Sequence, residues 1–248
     1  MYERPDVPKG GPHRNLIAVI VLAVVAVALV VLVTELWRLA NEHSKLGDDS
    51  LTKAVSAETV SPDAISQHAA QAGATPTNAE IETVMFSVVS GEEEESLSAL
   101  YFAVLNDTDA TAKLVQVPAD ARVQGTSSLL ASVFAKEGAS GLVSELTVAA
   151  VPVSHVVVMT QSGWDTFMTV AEKGGTALTK SAAKLIGGIV KSDMDTQQLI
   201  EVGQRAASSG VTVEGIEAVA TSDATAEDGT PVKQIAPADL GRAIGTLA

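Results

Sequence analysis

The sequence predicts an α/β fold, a single domain at residues 79–248 with a mixed β-sheet flanked by helices on both faces. Three observations favour this prediction. Short β-branched runs alternate with segments of helical periodicity throughout the range. The range contains no internal repeat, so we expect one domain. An unbroken apolar run lies upstream, and it predicts one transmembrane helix ahead of a spacer.

The apolar run covers residues 16–33, which are 18 residues without a charge, Gly or Pro. At a rise of ~1.5 Å per residue the run spans roughly 27 Å as a helix, close to the ~30 Å of a bilayer's hydrocarbon core. Leu36 and Trp37 extend it, and Trp is common at the membrane interface. We therefore predict a transmembrane helix at residues 16–37.

The N-terminal tail, residues 1–15, carries three basic residues against two acidic ones. Basic flanks stay on the cytoplasmic side. We therefore expect a cytoplasmic N-terminus, a single-pass anchor in the cell membrane and an extracytoplasmic C-terminal domain. A cleaved signal peptide is the alternative, but its apolar region usually has roughly 7–15 residues, which is shorter than this run.

The segment between the membrane and the domain is rich in Ala, Ser, Thr, Asp and Gln, and its apolar side chains are small and scattered. This composition predicts a spacer at residues 38–78 that raises the domain above the membrane. A helical piece is predicted within it at 62–72. The folded domain is predicted to begin at Ala79.

The first part of the domain predicts three strands. Residues 81–89 form an apolar, β-branched run, and residues 100–105 and 113–117 have similar composition. Turn-forming residues at 106–109 separate the last two runs and predict a hairpin. The four glutamates at 92–95 predict a solvated loop.

Two helices and a strand are predicted next. Thr126 is a suitable N-cap for a helix whose apolar face consists of Leu129, Leu130, Val133 and Phe134. A second helix is predicted at 140–149. The apolar run at 156–159 then predicts a buried strand.

Helices dominate the prediction for the following residues. The spacing i, i+3, i+4, i+7 predicts a helix with an apolar face of Trp164, Phe167, Met168 and Ala171. Further helices are predicted at 177–190 and 195–208, and Asp195 is the expected N-cap of the second.

The end of the chain predicts a strand at 211–219, a loop at 221–231 and a last helix. Pro237 suits the first turn of that helix. Its apolar face is predicted to consist of Leu240, Ala243, Ile244 and Leu247.

Composition and charge exclude several classes of function. The formal net charge of -14 opposes nucleic-acid binding, which needs clustered Lys and Arg. The absence of cysteine excludes a disulfide framework, a thiolate nucleophile and a Cys-ligated metal. The sequence has no G-x-S-x-G elbow, so a hydrolase triad has no support.

Three single features have structural interpretations. His155 is the only histidine of the predicted domain, and we expect a structural role because no nearby Cys, His or carboxylate motif accompanies it. Arg205 lies one helical turn beyond Glu201, which predicts an ion pair between them. Gly187 and Gly188 lack a Walker lysine pattern and predict a helix break or tight packing.

Three stretches of the domain carry a family resemblance. Residues 100–106 and the sequence VQVPAD at 115–120 stand where the family has a strand pair ending in SIPRD. Residues 129–138 match a family helix that ends in glycines. The sequence VPVSHV at 151–156, followed by Gly and Trp at 163–164, matches an IPIDHY strand and a Gly-Phe helix entry. Over roughly residues 81–208 the chain resembles the LytR-CpsA-Psr (LCP) family.

The resemblance implies a fold, an activity and partners. LCP proteins are single-pass, outward-facing proteins that transfer glycopolymers from a polyprenyl-pyrophosphate carrier to peptidoglycan with a divalent cation. The resemblance therefore implies an LCP-like domain at 79–248. It implies polyprenyl phosphate lipid or cell-wall assembly proteins as partners, and Mg²⁺ as the cofactor if the chain is a transferase.

The sequence departs from the family at its reactive positions. The family's metal-binding carboxylate falls at Ser98, and the arginine of its SIPRD segment falls at Ala119. A VRxR stretch becomes VKSD at 190–193, and two further arginine positions carry Gln198 and Glu201. Because pyrophosphate binding takes arginine forks, helix N-termini or a metal, these departures predict a domain that does not catalyse the transfer.

Four residues remain as site candidates under the resemblance. Asp120, Lys191 and Asp195 are the candidates for catalysis, and Asp120 is also the candidate metal ligand. Arg122 lies two residues beyond Asp120 and is the candidate phosphate-binding residue. A surface arginine at a strand end is the alternative for Arg122.

These observations leave three hypotheses. The first is a membrane-anchored LCP-like pseudoenzyme of the cell envelope, which binds the lipid carrier or acts as a scaffold in cell-wall glycopolymer assembly. The second is an active glycopolymer transferase with a rearranged site that uses Asp120, Arg122, Lys191 and Asp193 or Asp195. The third is an unrelated anchored protein-interaction module that shares only the fold.

Overall fold

The computed structural model describes residues 45–91, 96–171, 173, 175–208, 216–226 and 229–248. The predicted tail at 1–15, the predicted transmembrane helix at 16–37 and the predicted glutamate loop at 92–95 lie outside the described residues. Among the residues that the structure describes, no helix has both the length and the apolar character needed to cross a bilayer.

The described part of the chain contains strands of two sheets. In chain order they are β1 (Ile81–Val89), β2 (Leu97–Asn106), β3 (Thr111–Val117), β4 (Ala121–Val123), β5 (His155–Thr160), β6 (Ile189–Ser192), β7 (Ile216–Ala218), β8 (Ser222–Thr225) and β9 (Pro231–Ile235). The larger sheet has the order β6-β5-β1-β2-β3-β7, and the smaller sheet has the order β4-β9-β8.

The larger sheet is mixed, as predicted. Strand β1 pairs antiparallel with β2 and parallel with β5, while β3 is antiparallel to β2 and β6 is antiparallel to β5. Strands β1, β3 and β5 therefore run in the same direction. We call the edge where these three strands end, at Val89, Val117 and Thr160, the carboxyl edge. The opposite end, where β1 and β5 begin and β2 and β6 finish, is the amino edge.

Helices cover both faces of this sheet. In chain order the described helices are α1 (Asp49–Ala57), α2 (Pro62–Ala72), α3 (Leu130–Val148), α4 (Gln161–Ala171), α5 (Gly175–Gly187), α6 (Thr196–Ser208) and α7 (Pro237–Ile244). Alternate side chains of a strand point to opposite faces. Met85 and Val89 pack with α1, α3 and α7 on the first face, and Val84, Phe86 and Val88 pack with α4 and α6 on the second.

Several local predictions are confirmed. The β2–β3 hairpin turns at the predicted Asn-Asp-Thr-Asp segment, where the Asp109 backbone N–H donates to the Asn106 side chain at 3.1 Å. Gly138 has a φ of 66° and separates the two predicted helical pieces inside α3. Asp195 caps α6 by accepting from the Gln198 N–H at 2.9 Å, and Pro237 lies in the first turn of α7.

The predicted helix break is confirmed at Gly187, where α5 ends, and the predicted tight packing is confirmed at Gly188 but not at Gly187, whose added Cβ atom would meet nothing within 4 Å. A Cβ atom on Gly188 would lie 2.4 Å from the Cα atom of Gly163. The backbones at the start of α4 and ahead of β6 are therefore in direct contact, and Thr160 N donates to Gly188 O at 3.0 Å. Only glycine permits this approach.

The predicted spacer at 38–78 requires correction over residues 45–78. Helix α1 places Leu51, which is 1% exposed, in the first-face core. The Asp48 N–H donates to Ser192 O at 2.8 Å, so this segment also covers the outer edge of β6. Helix α2, predicted at 62–72, packs Ala69 against Ala238 of α7. The domain therefore includes this segment, because long-range contacts bury its few apolar side chains.

The structure also differs from the prediction in the second half of the domain. The helix predicted at 177–190 ends at Gly187 as α5, and residues 189–192 form β6, since they pair with β5 after the break at Gly188. The predicted loop at 221–231 contains β8, which pairs with β9. Thr126 does not cap α3: Leu129 is at the N-cap, and the Thr126 hydroxyl donates to Val123 O at 2.9 Å.

We predict that Leu51→Ala lowers the free energy of unfolding by about 2–5 kcal/mol, because it leaves a cavity in a packed core. Lys53→Ala on the exposed side of the same helix is the control and should change it by about 0.5 kcal/mol or less. Urea unfolding of the full-length chain measures both values. Equal effects of the two substitutions would contradict the inclusion of α1 in the domain core.

Candidate functional site

An apolar cavity of about 60 Å³ lies between the second face of the sheet and helices α4, α5 and α6. Small residues on both walls leave the space: Ala103 on β2, and Gly203 and Ala206 on α6. Larger apolar side chains complete the lining, among them Val157, Met159, Leu199 and Val202. The helical periodicity of α6 places its apolar residues over the sheet.

The chemistry of the lining suits a hydrocarbon group. Of the described residues that line the cavity, Thr196 is the one with a polar side chain. The volume of about 60 Å³ corresponds to roughly four water-sized spaces of ~15 Å³ each. A long isoprenoid chain therefore fits only if one of the covering helices moves away from the sheet.

A cluster of aromatic rings lies beside the cavity toward the carboxyl edge, and two of its members, Phe86 and Phe167, line the cavity. Trp164 of α4 lies 5.5 Å from Phe86 and 5.7 Å from Phe167, measured between ring centroids. Tyr101 stacks on Trp164 at 4.3 Å with an interplanar angle of 12°. Burial raises the pKa of the Tyr101 hydroxyl, and the nearby Asp165 adds to this effect. The rings fix α4 against the sheet.

A chain of charged side chains lies at the amino edge. His155 Nδ1 is 2.8 Å from Asp193 Oδ2, and His155 Nε2 is 4.0 Å from Glu82 Oε1. The other Glu82 oxygen accepts from Arg205 at 2.7 Å, and Arg205 also contacts Asp107 at 2.5 Å. This network joins the starts of β1 and β5, the residue after β2, the segment after β6, and α6.

The network changes the proton affinity of His155. The hydrogen bond with Asp193 raises the pKa of His155 above its usual value, and the charges of Asp193 and Glu82 act in the same direction against burial. Asp193 is held in place because its second oxygen accepts from the Val156 N–H at 2.6 Å. The imidazolium therefore has one close and one more distant carboxylate partner.

The sequence did not reveal this network. The sequence predicts a structural role for His155 and shows no carboxylate motif near it, whereas the pairing of β5 with β6 places Asp193 beside the ring. The predicted ion pair between Arg205 and Glu201 is wrong. Arg205 pairs instead with Glu82 and Asp107, and Glu201 accepts from Gln197 of the same helix at 2.9 Å. The sequence signal for this network was the segment VKSD at 190–193, in which Asp193 follows a strand-like run.

The candidate residues near β4 differ in burial: Asp120 is exposed, whereas Arg122 is half-buried and its Nε is buried without a hydrogen-bond partner. Asp120 follows the carboxyl end of β3, and its side chain is 67% exposed and lies 3.3 Å from Lys233 Nζ. Arg122 belongs to β4 in the smaller sheet, and its Nη2 donates to Thr225 O at 3.3 Å. The structure thus brings Asp120 and Arg122 to the same region but gives each a partner there.

The candidates near β6 lie elsewhere. Lys191 is 3.6 Å from Asp48 Oδ2, at the outer edge of the larger sheet. Asp195 and Gln198 exchange two hydrogen bonds of 2.9 Å as the capping box of α6. Both of these residues and Glu201 are exposed on the outside of the helix.

The structure does not assemble the candidates into one site. Four strand spacings separate β3, which precedes Asp120, from β6, which carries Lys191. At ~4.8 Å per spacing the two strands are roughly 19 Å apart. Asp193 and Asp195 lie beyond the amino edge, whereas Asp120 lies beyond the carboxyl edge. Phosphate and metal contacts act over roughly 2–3 Å, so these residues cannot share one substrate phosphate in this arrangement.

The residues at the family's metal position do not fit Mg²⁺. Ser98, on β2 at the carboxyl edge, offers a hydroxyl where the family has a carboxylate, and hard divalent cations favour carboxylates. Asp120 lies just after the end of β3, the strand adjacent to β2, but it is paired with Lys233. Among the described residues, no group of three or more His, Asp or Glu side chains is arranged to hold a metal ion.

Solved structures share this fold. TagV of B. subtilis has a TM-score of 0.52 at 12% sequence identity, and the match covers 68% of this chain and 96% of that chain. The transcriptional regulator yvhJ of Bacillus subtilis gives a TM-score of 0.51 at 12% identity, with coverage of 68% and 96%. A LytR-Csp2A-Psr enzyme from Actinomyces oris gives 0.49 at 12% identity, with coverage of 70% and 96%.

These similarities concern the fold. No protein-family model and no curated protein matches the chain. The first two structures show that the domain has an LCP-like fold, which confirms the fold implied by the sequence resemblance.

We predict that the free energy of unfolding falls as the pH rises from about 6.5 through the raised pKa of His155. A raised pKa in the folded state means that the stabilisation is complete below the unfolded value and is lost as the imidazolium deprotonates. Urea unfolding of the full-length chain between about pH 6 and about pH 9 measures the free energy of unfolding as a function of pH.

His155→Gln should remove this fall in stability, whereas His68→Gln, on α2 and outside the network, should retain it. The two substitutions make the same chemical change in different surroundings. A wild-type stability that stays constant over the range would contradict the prediction. So would a fall of equal size in the His155→Gln variant.

Proposed function

We propose that this chain is a membrane-anchored, extracytoplasmic protein of the cell envelope that binds the lipid part of a polyprenyl phosphate carrier without transferring its glycopolymer. The predicted transmembrane helix at 16–37 would hold it in the membrane. The observation that carries the proposal is the apolar cavity beneath α6, whose lining suits an isoprenoid group. The LCP-like fold supports a role related to cell-wall glycopolymers.

The positions of the family's arginines argue against transfer. A leaving pyrophosphate needs several fixed positive charges or donors, and loss of one donor typically costs ~2.7–4 kcal/mol of transition-state stabilisation. Lys191 is engaged by Asp48, while Gln198 and Glu201 carry no positive charge. Ala119 has no polar side chain at all.

The remaining arginines of the domain are committed to other contacts. Arg122 donates to a backbone carbonyl of β8, Arg205 pairs with two carboxylates at the amino edge, and Arg242 pairs with Asp239 within α7. A transferase would have to release at least one of them and bring it to the cavity. We therefore favour a binding or scaffolding role over catalysis.

The first test is a calorimetric titration of the full-length protein in lipid nanodiscs with a short-chain polyprenyl pyrophosphate, with and without Mg²⁺. We expect saturable binding with the same Kd in both conditions and no release of phosphate or pyrophosphate. Mg²⁺-dependent release that is lost in Asp120→Ala and Lys191→Ala would establish the transferase instead. The absence of any binding would favour a protein-interaction module.

We further predict that Leu199→Asn weakens this binding by roughly tenfold to a hundredfold, since an amide facing a bound hydrocarbon has no hydrogen-bond partner. Val148→Asn is the matched control, because the Val148 side chain is 51% exposed on α3 and outside the cavity. Its Kd should be unchanged. Equal Kd values for the two variants would contradict binding beneath α6.

A further inference from the structure

Helix α6 forms the outer wall of the cavity. Six of its residues contribute to the lining: Thr196, Leu199, Ile200, Val202, Gly203 and Ala206. Val202 and Ala206 of the helix pack in the second-face core, but next to the void the helix has fewer partner atoms, and a gap loses dispersion energy. Contacts outside the cavity therefore contribute to its attachment.

The polar contacts at the two ends of α6 differ in kind. At the N-terminal end, Asp195 and Gln198 bond to each other's backbone N–H groups, which stabilises the helix itself. At the other end, Arg205 reaches the sheet and contacts both Glu82 of β1 and Asp107 after β2. Arg205 thus joins the C-terminal part of α6 to two adjacent strands.

We propose that α6 is a movable cover of the apolar cavity and that the contacts of Arg205 with Glu82 and Asp107 form an ionic latch that keeps it closed. The inference rests on the proposed function only for the identity of the group that enters the cavity. The movement of α6 away from the sheet does not require a bound lipid. This movement supplies the space that an isoprenoid group needs, since the closed cavity of about 60 Å³ is too small.

The protonation of His155 adjusts this latch. The charged groups that face the imidazole ring are Asp193 from the β6–α6 connection and Glu82 from β1, with Arg205 of α6 and Asp107 on the far side of Glu82. A protonated ring attracts both neighbouring carboxylates and holds the β6–α6 connection near β1. A neutral ring leaves Asp193 and Glu82 without this shared cation, so opening increases as the pH rises.

Amide hydrogen exchange of the full-length chain in nanodiscs, followed by mass spectrometry, measures the opening directly. In Arg205→Met we expect the protection factors of α6 to fall about tenfold, while those of β1 and β2 stay unchanged. Arg242→Met is the matched control, because it removes the same charge from a comparably exposed ion pair in α7. Its α6 should exchange as in the wild type.

Two milder variants distinguish a local opening of α6 from a general loss of folding. Arg205→Lys keeps the charge but not the fork that spans two carboxylates, and Asp107→Asn removes one partner whose side chain is 53% exposed. Both should give intermediate loss of protection, confined to α6. His155→Gln should make α6 protection independent of pH between about 6 and about 9. Protection of α6 that is unchanged in Arg205→Met, or lost equally in β1 and β2, overturns the latch.

Binding of a short-chain polyprenyl phosphate separates this inference from the proposed function. If the Arg205 contacts do keep α6 closed, Arg205→Met binds the lipid faster than the wild type, and bound lipid lowers the protection of α6. Unchanged exchange together with normal lipid binding overturns the latch alone. Increased exchange in Arg205→Met without any lipid binding supports the latch and overturns the proposed function.

Discussion

The parallel pairing of β1 with β5 is the constraint on which the rest of the domain depends. These two central strands are almost fully buried, with Val84, Phe86, Val156 and Val158 between 0% and 4% exposed. A parallel pair cannot be joined by a tight turn and requires a long crossover. That crossover brings α3 onto the first face of the sheet, and the continuation from β5 through α4 and α5 to β6 covers the second face.

The same pairing determines where the charged side chains and the apolar cavity of the domain lie. It aligns Val84 with His155 and brings the start of β5 close to Glu82, and β6 then adds Asp193 from the other side. The result is a charged network at the amino edge and an apolar cavity within the second face. The family positions at the carboxyl edge, Ser98 and Asp120, have side chains that do not suit a pyrophosphate or a divalent cation.

The element order was largely predictable because periodicity is a local property. The hairpin of β2 and β3, the cap at Asp195, the first-turn proline at Pro237 and the buried run of β5 all depend on neighbours within a few residues. The strands β6, β8 and β9 and the inclusion of α1 were missed. Leu51 of α1 is buried beneath α3 by partners far away in sequence, while β8 is a short, mostly exposed polar segment without an apolar run to indicate its pairing with β9.

The sequence by itself determined the mixed α/β composition, the LCP-like order of segments and the loss of arginines at matched positions. Only the tertiary structure decided that the strands next to Asp120 and Lys191 are four strand spacings apart, and that His155 and Arg205 have carboxylate partners. The hydrogen bond between His155 and Asp193 joins residues 38 apart in sequence, and the one between Arg205 and Glu82 joins residues 123 apart. Such contacts depend on strand order and helix placement, which no local pattern of residues contains.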